Sequence, residues 1–186
     1  LKEIDLIIDQ IDNFEFSSII INDCSTTKVP EIFKPKNFSN LKIINMKNNR
    51  GHARCNASGL RYINVKEEFD YVIVMDSDGE DRPIEIKDLI KKISNEPHTS
   101  VVAKRIKRSE GPIFQSLYQI HKFITYIFTG KNINFGNYSC LTKKDVGILS
   151  TKESLWSSFS GTLKKNLLNL NEINSVRGLR YFGPSK

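Results

Sequence analysis

Residues 71–81 run Tyr-Val-Ile-Val-Met-Asp-Ser-Asp-Gly-Glu-Asp, and this stretch decides the fold class. Its first five residues are apolar on both faces, a pattern that predicts a strand buried in the middle of a sheet. Its last six residues contain four carboxylates, which repel one another unless solvent or a cation lies between them. We therefore expect a central strand over residues 71–75 that leads into an acidic loop with a functional role.

Helix and strand patterns alternate on both sides of that strand. Short β-branched or apolar runs at residues 18–21, 41–44 and 101–103 predict three more strands. Apolar residues at helical spacing predict helices over residues 4–11, over about 52–65 and after Pro83. This alternation predicts an α/β fold in which helices flank a mostly parallel sheet, whose ligands bind beyond the carboxyl ends of the strands.

The rest of the chain continues the same domain. We expect a helix from Pro112 to about Phe128, a strand near residues 137–141 and largely helical structure over residues 153–170. No linker or internal repeat divides the sequence, so residues 1–186 are predicted to form a single domain. Because patterned sequence begins directly at Leu1 and a motif is still running at Lys186, we expect a catalytic-domain fragment truncated at both ends.

Composition narrows the classes of partner. Twenty-eight basic and 21 acidic residues give a net charge of +7, which favours phosphorylated small molecules, anionic lipid or nucleic acid. The acidic loop in the expected cleft, and the lack of an RNP or zinc-finger signature, argue against nucleic acid. The three cysteines form no CxxC pair, which is typical of a protein of the reducing cytosol.

The acidic loop has the chemistry of a site for a hard cation. In extended backbone, residues two apart point the same way at roughly 7 Å, so Asp76 and Asp78 share one side and Glu80 can join them. Oxygen-only ligands of this kind suit Mg²⁺ or Mn²⁺ and not zinc. The competing interpretation is a solvated acidic turn without a ligand.

The acidic loop also resembles a known family. Asp76-Ser77-Asp78, followed by Glu80-Asp81-Arg82-Pro83, resembles the DxD segment of family 2 glycosyltransferases of the Rossmann-like GT-A fold, and within them the dolichyl/polyprenyl-phosphate sugar transferase group. Residues 20–26, 49–60 and 180–186 resemble three further elements of that family, in the expected order. The family's opening strand, with its Pro-x-Tyr-Asn-Glu turn, is expected to precede Leu1.

The resemblance implies an inverting, metal-dependent transferase that takes its sugar from a nucleotide-sugar donor. Its roles carry over onto matching positions: donor or nucleotide binding by Asp23, Arg50, Arg54, Asp76, Arg105 and Ser185; metal binding by Asp76, Asp78 and Glu80; and catalysis by Asp78, Arg180 and Lys186. Simpler interpretations are an Asx turn at Asp23, solvated basic residues at Arg50, Arg54 and Arg105, and a basic tail at residues 180–186.

The acceptor is predicted from what the sequence lacks. Transfer to a hydroxyl needs a general base, usually Asp or Glu, yet no acidic residue lies between Glu110 and Asp145. A phosphate acceptor is already anionic, so we expect a polyprenyl-phosphate acceptor at the cytoplasmic face of a membrane. The apolar segment 113–128 is suited to lie in a lipid interface. The alternatives are transfer to a saccharide hydroxyl and a nucleotide-sugar-binding module without turnover.

Overall fold

The computed structural model describes residues 1–26, 35–106 and 134–181. These residues form six strands, five α-helices and two short 3₁₀ helices. In chain order they are α1 (Lys2–Ile8), β1 (Phe16–Asn22), β2 (Phe38–Asn45), α2 (His52–Lys66), β3 (Tyr71–Val74), a 3₁₀ turn (Pro83–Glu85), α3 (Ile86–Asn95), β4 (Val101–Arg105), β5 (Phe135–Thr142), α4 (Lys143–Ser150), a 3₁₀ turn (Glu153–Trp156), α5 (Phe159–Asn166) and β6 (Asn171–Ser175).

The strands form two sheets within these described ranges. β1 and β2 pair in parallel, and the other four strands follow the order β3-β5-β4-β6. β4 and β6 are parallel, whereas β5 runs antiparallel to both β3 and β4. The α/β class is thus confirmed, and of the four strand pairings in the described residues two are parallel, while the two made by the reversed strand β5 are antiparallel. The sequence pattern did not predict this reversal, because strand direction depends on the path of the preceding connection and not on side-chain periodicity.

Two apolar cores cover the two faces of the four-stranded sheet. Side chains alternate between these cores along a strand, so Val102 of β4 packs with α2, α4 and α5, while its neighbours Val101 and Ala103 pack with α3. The predicted helix after Pro83 is confirmed, and Ile86, Leu89, Ile90 and Ile93 form its buried face. α2 also packs against β1, where an added Cβ at Gly59 would lie 3.2 Å from the Ile21 side chain. This helix therefore contacts both sheets.

Two sequence predictions about helices have different outcomes. The predicted helix over residues 112–128 falls outside the described residues. The predicted helical region after residue 153 is confirmed in part, since it consists of a 3₁₀ turn and α5, followed by extended chain leading to β6. None of the helices that the structure describes combines the length and the hydropathy required to cross a membrane.

Replacing Leu141 of β5 by alanine is expected to destabilise the domain by ~2–5 kcal/mol, because the side chain is 0% exposed and leaves a cavity. The matched control is Leu168→Ala, a loop position that is 101% exposed, for which a change below ~0.5 kcal/mol is expected. Urea unfolding followed by circular dichroism measures both. Equal effects of the two substitutions would contradict the assignment of the core.

Candidate active site

The acidic loop, residues 76–81, is closed by hydrogen bonds from its backbone N–H groups to its own carboxylates. The Asp76 N–H donates to Asp81 Oδ2 at 2.8 Å, and the Glu80 N–H donates to Asp78 Oδ1 at 3.0 Å. These bonds turn the chain sharply after β3 and hold four carboxylates within a few residues of the strand end. The loop follows β3 directly, as predicted, but in the described residues β3 lies at the edge of the four-stranded sheet and not at its centre, so the prediction of a central strand is wrong for this sheet.

A basic segment lies across this loop. We call residues 176–181, which follow β6, the strap. The Nε and Nη2 atoms of Arg180 both donate to Asp78 Oδ2, at 3.0 and 2.8 Å, and Nη2 of Arg177 donates to Glu80 Oε2. Two guanidinium groups therefore balance two of the carboxylates that the sequence places so close together.

The strap and the loop are also joined through their backbones. The Gly178 N–H donates to the Glu80 carbonyl at 2.9 Å, and the Tyr181 N–H donates to the Asp78 carbonyl at 2.8 Å. Contact this close requires glycine: a Cβ on Gly178 would overlap the Gly79 carbonyl oxygen, and Gly79 itself has φ +94°, a region that other residues rarely adopt. The two segments therefore form one interlocked unit.

Glu85 anchors the beginning of the strap. It is buried and accepts the Ser175 hydroxyl at 2.7 Å and the Val176 N–H at 3.0 Å, while Nη1 of Arg82 lies 3.7 Å from its Oε1. At the other end of the strap, the Tyr181 hydroxyl donates to Glu3 of α1 at 2.8 Å. Both ends of the strap are thus fixed to the body of the domain.

Asp81, the last residue of the loop, has an unusual electrostatic environment. It is only 3% exposed, and Nη2 of Arg105 lies 3.7 Å from its Oδ1. Burial raises the pKa of Asp81 to about 6, helped by the neighbouring Asp76 and Asp78 charges and opposed by the Asp76 N–H and Arg105. Because its accepting oxygens already face the Asp76 N–H and Arg105, Asp81 contributes to holding the loop in shape.

A second cluster forms where β1 ends. The Asp23 carboxylate accepts the N–H groups of Arg50 and Gly51, at 2.7 and 2.8 Å, and these bonds lower the pKa of Asp23, the Arg50 N–H most of all. The simpler interpretation of an Asx turn at Asp23 is not what the structure shows, since the local turn is made by Asn22, whose side chain accepts the Ser25 N–H at 3.1 Å. Asp23 instead links β1 to the start of α2.

The predicted site residues thus fall into two groups and a remainder. Asp76, Asp78, Glu80, Arg105 and Arg180 meet at the acidic loop, while Asp23 and Arg50 meet at the other cluster, where Arg54 lies exposed on the first turn of α2. Ser185 and Lys186 lie outside the described residues. The roles assigned to all of these residues stay predictions.

Sequence reasoning did not single out two residues that shape the site, Arg177 and Glu85, because their partners Glu80 and Ser175 lie 97 and 90 residues away in the chain. Asn137 lies in a segment for which a strand was predicted, but its contact with the acidic loop was not. Its side-chain amide donates to Asp76 Oδ1 at 3.2 Å.

The donor set of the loop suits a hard cation, although no cage is preformed. Among the described residues, no group of three or more His, Cys, Asp or Glu side chains is arranged to hold a metal ion. Magnesium is commonly held by only one or two carboxylates and completes its shell with water and substrate phosphates, a requirement that Asp76 and Asp78 meet chemically. Glu80 is buried and paired with Arg177, so its place in the predicted metal set stays a prediction.

The domain is α/β, and carboxylates and guanidinium groups cluster at the end of one of its strands. This arrangement is typical of enzymes that act on phosphorylated substrates. The family model for glycosyl transferase family 2 matches residues 2–157, and this chain belongs to that family. Its α/β architecture is of the type expected for a family 2 domain of the GT-A fold. The chain is also similar to an uncharacterized protein of Methanocaldococcus jannaschii, with 25% identity over 131 residues that cover 69% of this chain and 56% of that protein.

The three cysteines are expected to differ sharply in reactivity. Burial, with the neighbouring Asp23 carboxylate, raises the pKa of Cys55 to about 11, and burial raises that of Cys140 to about 12. Thiolate is the reactive form, so at pH 8 roughly one Cys55 in a thousand is ready to react. Cys24 is exposed, and native protein should take up one iodoacetamide rapidly, at Cys24, as read by peptide mass spectrometry.

The control for this experiment is the same labelling in urea, where all three cysteines should react. Rapid labelling of Cys55 in the native protein would contradict the packing of Asp23 against the start of α2.

Proposed function

We propose that this protein is an inverting glycosyltransferase that moves a sugar from a nucleotide-sugar donor to a polyprenyl or dolichyl phosphate, with Mg²⁺ or Mn²⁺ as cofactor. The observation that carries the proposal is the acidic loop at the end of β3 together with the arginines that surround it. A bound divalent ion would supply charge neutralisation for the donor diphosphate. Asp76 and Asp78 are the residues that would hold it.

The arginines of the site suit the leaving diphosphate. Guanidinium groups bind phosphate oxygens in a bidentate manner and keep their charge at any physiological pH. Arg180 is partly exposed at the rim of the loop, where it can approach a ligand, and Arg105 is near Asp81. We assign Arg180 to stabilise the charge that develops on the leaving group, with Lys186 and Ser185 as further donor contacts.

The cluster at the end of β1 is assigned to the nucleotide. Asp23 holds the Arg50–Gly51 backbone in place and also accepts from the Cys55 thiol, and since a carboxylate has about four acceptor positions it can still accept a base N–H. The exposed side chains of Arg50 and Arg54 supply positive charge beside it for phosphate oxygens. One carboxylate thus fixes the loop and binds the base.

The phosphate acceptor is supported by what β5 presents to the loop. The residue of β5 that reaches Asp76 is Asn137, an amide that cannot remove a proton from an acceptor hydroxyl. An acceptor phosphate needs no such base. It would also be attracted to the arginines, and a lipid-linked acceptor places the enzyme at the cytoplasmic face of a membrane.

The alternative, transfer to a saccharide hydroxyl, would require a base from elsewhere. Asp81 has a suitable pKa of about 6, but its carboxylate is buried and already accepts the Asp76 N–H. A general base must come within hydrogen-bond reach of the proton that it removes. The geometry of Asp81 therefore favours the phosphate acceptor over the hydroxyl.

Asp78→Asn in the full-length protein is expected to lower turnover at least ~100-fold, because the amide keeps the shape of the side chain but loses the negative charge that would hold the divalent cation. The matched control is Glu68→Gln, which removes a carboxylate that is 95% exposed and paired with Lys143 at the surface. Release of nucleoside diphosphate from a panel of nucleotide sugars with Mn²⁺ measures turnover. Near wild-type turnover of the Asp78→Asn protein would show that donor binding does not depend on the acidic loop.

The acceptor is tested by following radiolabelled sugar into organic-extractable product. We expect the full-length protein to glycosylate a polyprenyl phosphate and to leave the same polyprenol without its phosphate unmodified, because only the phosphate brings its own nucleophilic oxygen anion. Soluble sugars serve as a second comparison. Equal transfer to polyprenol or to a free sugar would favour the hydroxyl acceptor, and Asp81→Asn would then be the first variant to assay.

A further inference from the structure

Both oxygens of Asp78 are engaged within the protein. Oδ1 accepts the Glu80 N–H, and Oδ2 accepts two N–H groups of Arg180, at 2.8 and 3.0 Å. A divalent cation bound to Oδ2 would meet the guanidinium at the same oxygen, where like charges repel at close range. Arg180 and a metal ion are therefore competing partners of this carboxylate.

The two arginines of the strap form ion pairs with the acidic loop that differ in burial. The Arg177–Glu80 pair is the inner one, with side chains 19% and 6% exposed, whereas the Arg180–Asp78 pair is at the rim, with side chains 27% and 30% exposed. Breaking a buried ion pair leaves uncompensated charge and is costly, while a more exposed pair separates with little cost. The outer contact can thus open while the inner one stays closed.

The backbone supports the same division. The strap is fixed at its start by Glu85 and in its middle by the Gly178 N–H, which donates to the Glu80 carbonyl. Release of Asp78 requires the Arg180 side chain to turn away from Asp78 and from Glu80, whose Oε1 lies 3.9 Å from its Nε, while the backbone contacts of the strap stay in place. The displaced guanidinium would still lie at the rim of the acidic loop.

We propose that Arg180 is an exchange residue: it occupies Asp78 when the site is empty and moves to the donor diphosphate when a divalent cation takes its place. This inference rests on the proposed function and adds a mechanism of regulation to it. The charge of the carboxylates is balanced at each stage, first by guanidinium and then by the cation. The cation alone binds against competition, and the diphosphate removes that competition by giving Arg180 a new partner.

The test measures Mn²⁺ alone, without nucleotide or activity, by electron paramagnetic resonance of free Mn²⁺ in titrations of the full-length protein. Arg180→Gln is expected to bind Mn²⁺ at least tenfold more tightly than wild type, because the competitor is gone. Lys143→Gln is the matched control, since it removes the same charge from an exposed pair with Glu68. It should leave the Mn²⁺ dissociation constant unchanged.

The double variant Arg180→Gln, Asp78→Asn locates the effect. It should lose the tight Mn²⁺ binding gained by Arg180→Gln, because the exchange requires the Asp78 carboxylate. If Arg180→Gln binds Mn²⁺ no more tightly than Lys143→Gln does, the exchange is wrong. The exchange would be wrong on this result even if the wild-type protein binds Mn²⁺ through Asp78 and transfers sugar. The proposed function would then stand without the exchange.

Gly178→Val provides a second variant that keeps Arg180 in the chain. Its side chain would overlap the Gly79 carbonyl and push the strap away from the loop, carrying Arg180 off Asp78. Tighter Mn²⁺ binding than wild type is expected again, with the fold checked by circular dichroism. Unchanged Mn²⁺ affinity in a folded Gly178→Val protein would overturn the proposal.

Discussion

The pairing of the strap with the acidic loop is the interaction on which the rest of the site depends. Four carboxylates in six residues cannot lie together at the end of a partly buried strand without positive charge nearby. Arg177 and Arg180 supply it from a segment about a hundred residues later in the chain. The strap therefore covers the acidic loop and stabilises it in one arrangement.

This arrangement joins structure to chemistry. The guanidinium groups that stabilise the loop are of the kind that binds phosphate oxygens, so under the proposed function the same charges serve folding and donor binding. Under the proposed function, a site built in this way is electrostatically prepared for the donor. It also explains why glycine is needed at positions 79 and 178, where the two backbones approach too closely for a side chain.

Much of the fold could be predicted from the sequence, and the site only in part. The periodicities placed β1 to β4 and α1 to α3 within a few residues of where they lie. The acidic loop followed from the run of residues 71–81, and Arg180 from its resemblance to a family element. Arg177 and Glu85 were not found, because a partner that is distant in sequence leaves no periodic or local signal.

The sequence by itself determined the α/β class, the family and the position of the acidic loop, because these depend on local patterns of apolar and charged side chains. Only the tertiary structure decided the antiparallel direction of β5, the use of Asp23 to join β1 to α2, and the choice of Arg180 as the partner of Asp78. Each of these depends on which distant segments meet. That is set by the packing of the whole domain, where burial and the need to pair every charge select one arrangement among many.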